Sequence, residues 1–303
     1  MVAPSLQVGD RKLVVDGTLV MGVVNASPDS FSDTGDDIEL DGRLALAERL
    51  IAEGADIVDV GGQSAITGVP EVDADVEVGL VAPLIGAIHH RWPDVMISVD
   101  TYKPKVARAA LEAGASIVND VSGLLYPDVA RMCADHGAAL VIMHTRSKPK
   151  VRLVDPGRYD DVVADVVAFL ADKVAEAVAL GVPEDSLILD PGPDFAKTPA
   201  QTIEVVRRLD EVRTLGRPLL LALSRKDFIG AILAKRPSRR LAGTMAAIAH
   251  VCAVPGNIVR VHDVEATRDV LAVVDVLAGR AEVATDYELP MSLRRESAAV
   301  DEG

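Results

Sequence analysis

The sequence has few aromatic residues and only two cysteines, and both shortages narrow the possible fold classes. Aromatic residues make up 3% of the 303 positions although 49% are hydrophobic, which predicts a globular protein with an aliphatic core. Cys133 and Cys252 are far apart in apolar, helix-like segments, so we interpret them as reduced thiols. A small fold held together by disulfides is therefore not expected.

The sequence also lacks a long apolar run and an excess of positive charge. No segment approaches the roughly 18 apolar residues of a membrane-spanning helix, and the N-terminus has no basic region followed by an apolar run. The 46 acidic residues outnumber 31 Lys and Arg residues, and the formal charge of −15 would repel a phosphate backbone. We therefore predict a soluble, cytoplasmic protein with no membrane or nucleic-acid partner.

Apolar, strand-like runs alternate with segments of helical periodicity along most of the chain. Eight runs have the composition of buried parallel strands: residues 19–24, 56–60, 96–99, 116–118, 139–143, 186–189, 218–223 and 257–261. Helical patterns between them include residues 43–53, 76–91, 103–113, 159–180, 201–215 and 243–254. This repetition predicts an α/β fold of the (β/α)₈ TIM-barrel type, with a doubly wound open sheet as the structural alternative.

Two shorter segments flank this repetition. The sequence LQVGDRKLVVDG contains two β-prone runs around Gly9-Asp10, which predicts a short N-terminal β-hairpin. The residues from 285 onward are polar and mixed in charge, without a periodic apolar face. We therefore predict a single domain over residues 1–284, followed by a disordered tail over residues 285–303.

Polar or charged residues follow almost every predicted strand. They are Asn25, Asp59, Asp100, Asn119, His144, Asp190, Ser224 to Lys226, and Arg260 to Asp263. In a barrel all strand ends converge on one mouth, whereas an open sheet needs such residues only near its switch point. The pattern therefore favours the barrel and predicts a functional site at its C-terminal mouth.

Asp100, Asn119 and Asp190 together predict a site for a planar, nitrogen-rich ring. Their carboxylate and amide groups can accept and donate hydrogen bonds to ring N–H groups and an exocyclic amine. A competitor without those donors would leave a buried carboxylate unpaired, so the arrangement is selective. The alternative is that these acids cap the following helices, as Asp100 can do before residues 101–103.

Lys226, Arg260 and His262 supply positive or proton-donating groups beside these acids. Arg260 and His262 alternate along one strand, so both point to the same face and both can reach a diphosphate. Asn25 can offer its amide oxygen to Mg²⁺, which takes its remaining ligands from water and substrate phosphates. The alternatives are a solvated lysine at a helix start and a turn-forming asparagine before Ser27-Pro28.

The segment VIMHTRSKPKVRL contains a strong basic run in this acidic sequence. It includes Arg146, Lys148, Lys150 and Arg152 directly after His144. Such a run can attract an anion, although a solvated loop is the alternative interpretation.

The motifs MGVVNASPDSFSD, GADIVDVGGQS, SVDTYK, ASIVNDVSGL, DPGPDFAKT, LSRKDFIG and IVRVHDV occur in this order between Met21 and Val264. In order and spacing they resemble the dihydropteroate synthase family, which joins a dihydropterin diphosphate to p-aminobenzoate in folate biosynthesis. The resemblance implies a TIM barrel that is usually a homodimer. It also implies a pterin deep in the barrel, with diphosphate and Mg²⁺ at the mouth.

Matching positions carry the family's expected roles. The resemblance implies that Asp100, Asn119, Asp190 and Lys226 contact the pterin ring, and that Met143 and Phe195 line its pocket. Arg260 is expected to stack on the ring and, with His262 and Asn25, to hold the diphosphate and its Mg²⁺. Family catalysis is dissociative, so the protein stabilises the departing diphosphate and orders the aryl amine that attacks.

The sequence departs from the family in the loop that covers the diphosphate. Where the family typically has G-G-E-S-T-R-P-G, this chain has GGQSAITG, so Ala65, Ile66 and Thr67 replace Thr, Arg and Pro. Two further acids, Asp194 and Asp227, stand where the carboxylate of p-aminobenzoate is expected and predict repulsion. Because a transition-state arginine can contribute on the order of 10³-fold in rate, these changes predict weak catalysis.

The leading hypothesis from the sequence is therefore a dihydropteroate synthase-like, pterin-binding paralogue whose transferase activity is lost or very low. A first alternative is an active synthase in which Arg146 or Lys148 replaces the missing arginine. A second is a transferase with a different second substrate. A third is a non-catalytic dimer that binds pterin in a regulatory role. The expected ligands are a pterin-type molecule and an aryl amine or sulfone-like molecule.

Overall fold

The computed structural model describes residues 3–26, 36–64 and 68–295 of the chain. The strands in this part are β1 (Ser5–Val8), β2 (Arg11–Val14), β3 (Thr18–Asn25), β4 (Ile57–Gly61), β5 (Met96–Asp100), β6 (Ile117–Asp120), β7 (Ala139–Met143), β8 (Leu187–Asp190), β9 (Leu219–Leu221) and β10 (Asn257–Val261). The helices are α1 (Asp36–Ala52), α2 (Ala74–Arg91), α3 (Pro104–Glu112), α4 (Pro127–His136), α5 (Val162–Ala179), α6 (Pro199–Arg207), α7 (Leu209–Arg213), α8 (Asp227–Leu233), α9 (Leu241–Cys252) and α10 (Val264–Leu277).

The eight strands β3 to β10 form a closed parallel barrel. Each pairs with its neighbour in sequence, and β10 closes the circle by pairing with β3, with Asn257 level with Thr18. This closure confirms the predicted TIM barrel and excludes the doubly wound open sheet. The predicted helix over residues 201–215 is wrong in one respect, because Arg208 leaves the helical conformation and separates α6 from α7.

The hairpin of β1 and β2 confirms the prediction for the N-terminus and closes the bottom of the barrel. Gly9 takes φ +57° in its turn, where glycine has no steric penalty, and its N–H donates to the carbonyl of Gly137. Leu6 and Val8 are buried in a cluster with inward-facing residues of the strands. The site must therefore lie at the opposite end.

Inward-facing side chains change from apolar to polar toward the C-terminal ends of the strands. Because strand side chains alternate, residues two positions apart face the same way. The change occurs from Ile57 to Asp59, from Ile117 to Asn119, from Ile188 to Asp190 and from Ile258 to Arg260. The apolar layer fills the barrel, and the polar layer above it forms the floor of the mouth.

The remaining sequence predictions concern segments outside the barrel wall. Cys133 and Cys252 are buried free thiols, as predicted. Within the described ranges, no helix is both long enough and apolar enough to span a membrane. Residues 285–295 are exposed and include a short 3₁₀ helix, Met291–Leu293, so the disordered tail stays a prediction.

Candidate active site

Arg260 occupies the centre of the barrel mouth between two carboxylates. Its Nε lies 2.6 Å from Asp59 Oδ2 and its Nη2 lies 2.8 Å from Asp100 Oδ2. Burial raises the pKa of Asp100 to about 7, although the Arg260 cation opposes this shift. The sequence placed Asp59 at a strand end without a role, and the structure shows it as the second partner of Arg260.

Asn119 and Asp190 add two further hydrogen-bonding groups to the polar layer that contains this arginine. Asn119 is level with Asp100 on the neighbouring strand, and its Oδ1 is buried without a hydrogen-bond partner. Asp190 Oδ1 accepts from the N–H of Gly192 at 2.7 Å, and burial raises the pKa of Asp190 to about 6. A buried acceptor without a partner indicates a donor that arrives with a ligand, which fits an N–H-bearing ring.

Phe195, Lys226 and Met143 form the wall of the mouth beyond these groups. Lys226 Nζ lies 4.4 Å from the centre of the Phe195 ring, in cation–π contact. Burial lowers the pKa of Lys226, while Asp194 and Asp190 oppose the shift. Met143 is fully buried at the end of β7, where it is level with Asp190. The structure therefore brings together the residues predicted to bind the ring.

His262 and Asn25 lie at the rim, where a diphosphate was expected. His262 Nδ1 is 2.9 Å from Ser224 Oγ. The side chain is exposed at the rim, and partial desolvation together with the Arg225 and Arg260 cations lowers the pKa of His262 to about 4, so it is neutral at pH 7. A neutral ring has one proton, and in the tautomer in which Nδ1 accepts from the Ser224 hydroxyl that proton is on Nε2, so this tautomer offers a hydrogen bond and no positive charge.

The basic segment after β7 reaches the loop after β4. Lys150 Nζ donates to the carbonyl of Ser64, and the N–H of Gly68 donates to the carbonyl of Lys150 at 3.4 Å. Ala65, Ile66 and Thr67 lie between these contacts and outside the described residues. Both segments line one cavity. Its lining includes Gln63 and Ser64 from the loop after β4, Ser147, Lys148, Lys150 and Val151 from the basic segment, and Asp100, Tyr102, Val121 and Phe195 from the rest of the mouth.

Arg146 belongs to the same segment but is directed away from this cavity. Its Nε and Nη2 donate to the two oxygens of Asp165 at 2.9 Å and 2.8 Å, and its guanidinium lies 5.0 Å from the centre of the Phe169 ring. Lys148 is exposed and lines the cavity. Of the two residues suggested from the sequence to replace the missing arginine, the structure favours Lys148 and adds Lys150.

A second cavity lies on the other side of Phe195 and contains the two unexpected acids. Asp194 accepts from the backbone N–H of Asp227 at 2.5 Å and from the Thr202 hydroxyl at 3.1 Å. Asp227 is paired with Arg240 at 3.0 Å. Both carboxylates therefore have internal partners, which weakens the repulsion that the sequence predicted. The lining also carries four basic side chains, Arg152, Lys197, Arg225 and Lys226.

The oxygen ligands at the mouth fit a magnesium ion only in combination with a phosphate-bearing ligand. Asn25 is exposed at the end of β3, level with Gly61 of β4. Across the three described ranges, no group of three or more His, Cys, Asp or Glu side chains is placed to hold a metal. One amide oxygen suits Mg²⁺, which keeps several waters and takes phosphate oxygens as further ligands.

The fold and the buried hydrogen-bonding groups of the mouth define the class of protein. Residues 21–262 match the family described as pterin binding enzyme, and this range extends from β3 to the residue after β10. The matched range contains every residue predicted to contact the ring. The protein is therefore a TIM-barrel member of the pterin-binding enzymes.

Individual relatives define the family more closely. The chain is 40% identical over 270 residues to a dihydropteroate synthase of Streptococcus pyogenes serotype M3, which covers 88% of this chain and 98% of the relative. It is 42% identical over 268 residues to a probable bifunctional folylpolyglutamate synthase/dihydropteroate synthase of Haloferax volcanii, and spans 31% of that relative's length. A structure of Xanthomonas albilineans dihydropteroate synthase with 4-aminobenzoic acid is 37% identical and superposes with a TM-score of 0.83, covering 91% of this chain and 98% of that one. The chain belongs to the dihydropteroate synthase family.

Proposed function

We propose that this protein transfers a dihydropterin group from its diphosphate ester to an aryl amine such as p-aminobenzoate. The observation that carries the proposal is the position of Lys148 and Lys150, which line one cavity with Asp100 and Phe195. Positive charge at this position can serve the departing diphosphate in place of the arginine that Ile66 replaces. The sequence alone favoured a lost activity, because it could not show that the two loops meet.

Different residues of the mouth would bind the ring and stabilise the departing diphosphate. Asp100, Asn119 and Asp190 accept hydrogen bonds from the ring N–H groups, and Phe195 packs beside the ring. The bond from the pterin methylene carbon to the diphosphate oxygen breaks, and that carbon forms a bond to the amine nitrogen, which releases one proton. Lysine ammonium groups close to the departing oxygens stabilise the negative charge that develops there.

Mg²⁺ is part of this proposal as an ion that enters with the diphosphate. Asn25 would hold it through the amide oxygen, and the ion would neutralise phosphate charge when bound. His262 would donate a hydrogen bond from Nε2 to a phosphate oxygen. Both residues lie at the rim, above the ring-binding floor, so the diphosphate would point outward toward Lys148.

A pterin-binding protein with little or no transferase activity is the second candidate. The observation in its favour is the sequence Ala65-Ile66-Thr67, which removes a hydroxyl and a guanidinium from the loop after β4. Lysine is a point charge and cannot reproduce the two parallel hydrogen bonds that arginine makes to an anion. The two candidates share the ring-binding floor and differ in turnover.

A turnover assay with a double variant separates these candidates. Purified protein is supplied with dihydropterin diphosphate, p-aminobenzoate and Mg²⁺, and Lys148→Ala/Lys150→Ala is compared with wild type. We expect measurable wild-type turnover and a loss on the order of 10²-fold in kcat/KM in the variant. Lys12→Ala/Arg49→Ala, which removes the same charge from exposed positions away from the mouth, should retain activity. Wild-type turnover at background level would refute the proposal and leave the second candidate.

A further inference from the structure

Lys197 is a buried lysine between β8 and α6 that the proposed chemistry does not use. It retains 2% of its surface exposure, and it is among the largest side chains buried to this extent. An ammonium group removed from water is costly unless its protons are hydrogen-bonded. Its partners therefore indicate what the protein uses it for.

The Lys197 ammonium has three protons and three acceptors within reach. They are His144 Nδ1 at 2.7 Å, the carbonyl of Gly192 at 3.0 Å and the carbonyl of Phe195 at 3.3 Å. A protonated lysine satisfies all three, whereas a neutral amine has two N–H groups and leaves one acceptor without a donor. The geometry therefore matches the charged form.

His144 is fixed as an acceptor by its contact on the other side of the ring. Its Nε2 lies 2.8 Å from Asp165 Oδ1, and a carboxylate in that position requires a proton on Nε2. Burial lowers the pKa of His144 to about 3, so the ring is neutral and its Nδ1 has a lone pair for Lys197. The hydrogen bonds therefore run from Lys197 through His144 to Asp165 on α5.

The two carbonyls bound by Lys197 belong to a strained turn. Gly192, Asp194 and Ala196 have φ values of +65°, +65° and +51°, and this left-handed region is unfavourable for the two residues that carry a Cβ. Such conformations persist only where surrounding contacts hold them. A Cβ at Gly192 would lie 2.0 Å from the carbonyl oxygen of His144, so the turn also packs directly against the end of β7.

The same turn carries two residues of the candidate active site. The N–H of Gly192 donates to Asp190, and the ring of Phe195 lies against the Lys226 ammonium. Phe195 lines both cavities together with Ser147 and Val151, so its position affects the boundary between them. A change in the conformation of this turn would therefore change the shape of both cavities.

We propose that Lys197 is a positioning residue that holds the turn of residues 192–195 and thereby fixes Phe195 between the two cavities. It acts through the backbone of this turn and through His144, without a contact to substrate. Its consequence for turnover rests on the proposed function, whereas its control of Phe195 does not.

Fluorine NMR reads the position of Phe195 without a ligand or turnover. The chain has four phenylalanines, so labelling with p-fluorophenylalanine gives few signals, and Phe195→Leu assigns the relevant one. We expect Lys197→Met to shift or broaden the Phe195 signal and to leave the Phe228 signal unchanged. An unchanged Phe195 signal in a folded Lys197→Met protein would overturn the proposal.

A pH titration separates positioning by the ammonium from a general packing role. Burial lowers the pKa of Lys197 to about 7, so loss of one ammonium proton near that pH should add a shift of the Phe195 signal in wild type that Lys197→Met lacks, whereas any shift caused by Asp100, whose pKa is also about 7, occurs in both proteins. The charged and titratable groups that face Lys197 are His144 at the end of β7, Asp165 on α5, Asp190 at the end of β8, Asp194 in the turn and Lys226 before α8. They are present in both proteins, but Lys197 also lowers the pKa of Asp190, so the two titrations are compared in an Asp190→Asn background, where the difference belongs to Lys197.

Asp165→Asn provides a second variant if Lys197→Met does not fold. Asp165 raises the pKa of Lys197, and asparagine keeps an acceptor for His144 while it removes the charge. The midpoint of the Phe195 titration should therefore move to lower pH. A midpoint that stays in place contradicts the role of Lys197.

The pterin affinity of Lys197→Met, measured by calorimetry, should fall about tenfold, as expected for loss of hydrogen bonds from a charged group.

Discussion

Arg260 Nη2 lies 2.8 Å from Asp100 Oδ2 at the floor of the barrel mouth, and this ion pair opposes the effect of burial on the carboxyl group. The pKa of Asp100 nevertheless rises from 3.8 to about 7. The folded protein therefore binds a proton at Asp100 that the unfolded chain has released, and this stabilisation is lost as pH rises from 3.8 to about 7. The protein is therefore less stable at neutral pH because the Asp100 carboxylate is buried where a ligand would bind.

Asp100→Asn should reveal this pH dependence. Asparagine does not titrate, so the free energy of unfolding of the variant, relative to wild type, should increase as pH rises across that window. Urea denaturation at both ends of the window measures the difference. Asp75→Asn, which removes a carboxylate from an exposed position at the start of α2, is measured in parallel as the control for loss of a surface charge. A constant difference for Asp100→Asn would contradict the raised pKa.

Asn119→Ala should weaken pterin binding about tenfold, because it removes the buried Oδ1 that has no partner in the protein and so leaves a ring donor unpaired. Calorimetric titration with a pterin measures the loss. Ser98→Ala is the matched control, since the Ser98 hydroxyl is also buried and without a partner but is level with the apolar Ile117. Equal losses in both variants would contradict a specific contact with Asn119.

The barrel could be predicted from the sequence because its signals are local. Aliphatic runs at a regular interval specify buried parallel strands, and polar residues at their ends specify the mouth, as for Asp100 and Asp190. The strand ends were misplaced by two residues where β9 stops at Leu221 and β6 extends to Asp120. A strand ends at its last backbone hydrogen bond to a neighbouring strand, and the hydrophobicity of the sequence does not show where that bond lies.

Contacts between distant loops could not be predicted in the same way. Lys150 and Ser64 are 86 positions apart, and Lys197 and His144 are 53 apart, so no local pattern joins them. The sequence indicated a role for Lys197 only because this residue belongs to DPGPDFAKT, a motif assigned to the site. Its burial depends on the fold of the turn, and lysine is ordinarily an exposed residue.

Asp194→Asn should change the KM for p-aminobenzoate by less than about threefold. The sequence suggested that Asp194 repels the carboxylate of this substrate, but its oxygens are already bonded to the Asp227 N–H and the Thr202 hydroxyl. Asparagine keeps one acceptor for the Asp227 N–H, can donate from its amide group to the Thr202 hydroxyl and removes the charge, so the variant tests the electrostatic effect, which is small for a partly exposed group. Steady-state kinetics measure it. A tenfold fall in KM would show that repulsion limits binding of the second substrate.

Restoring the family's loop sequence should have different effects in two backgrounds. If Lys148 and Lys150 supply the charge that Ile66 lacks, Ala65→Thr/Ile66→Arg/Thr67→Pro should raise kcat/KM by less than about tenfold in wild type, because the departing diphosphate is already stabilised. In Lys148→Ala/Lys150→Ala the same loop should recover most of the lost rate, since its arginine then acts alone. Ala65→Thr/Thr67→Pro without the arginine is the control and should recover little. A gain on the order of 10²-fold or more in the wild-type background would instead show that the lysines do not replace the arginine, and that the natural chain is a pterin-binding protein with weak catalysis.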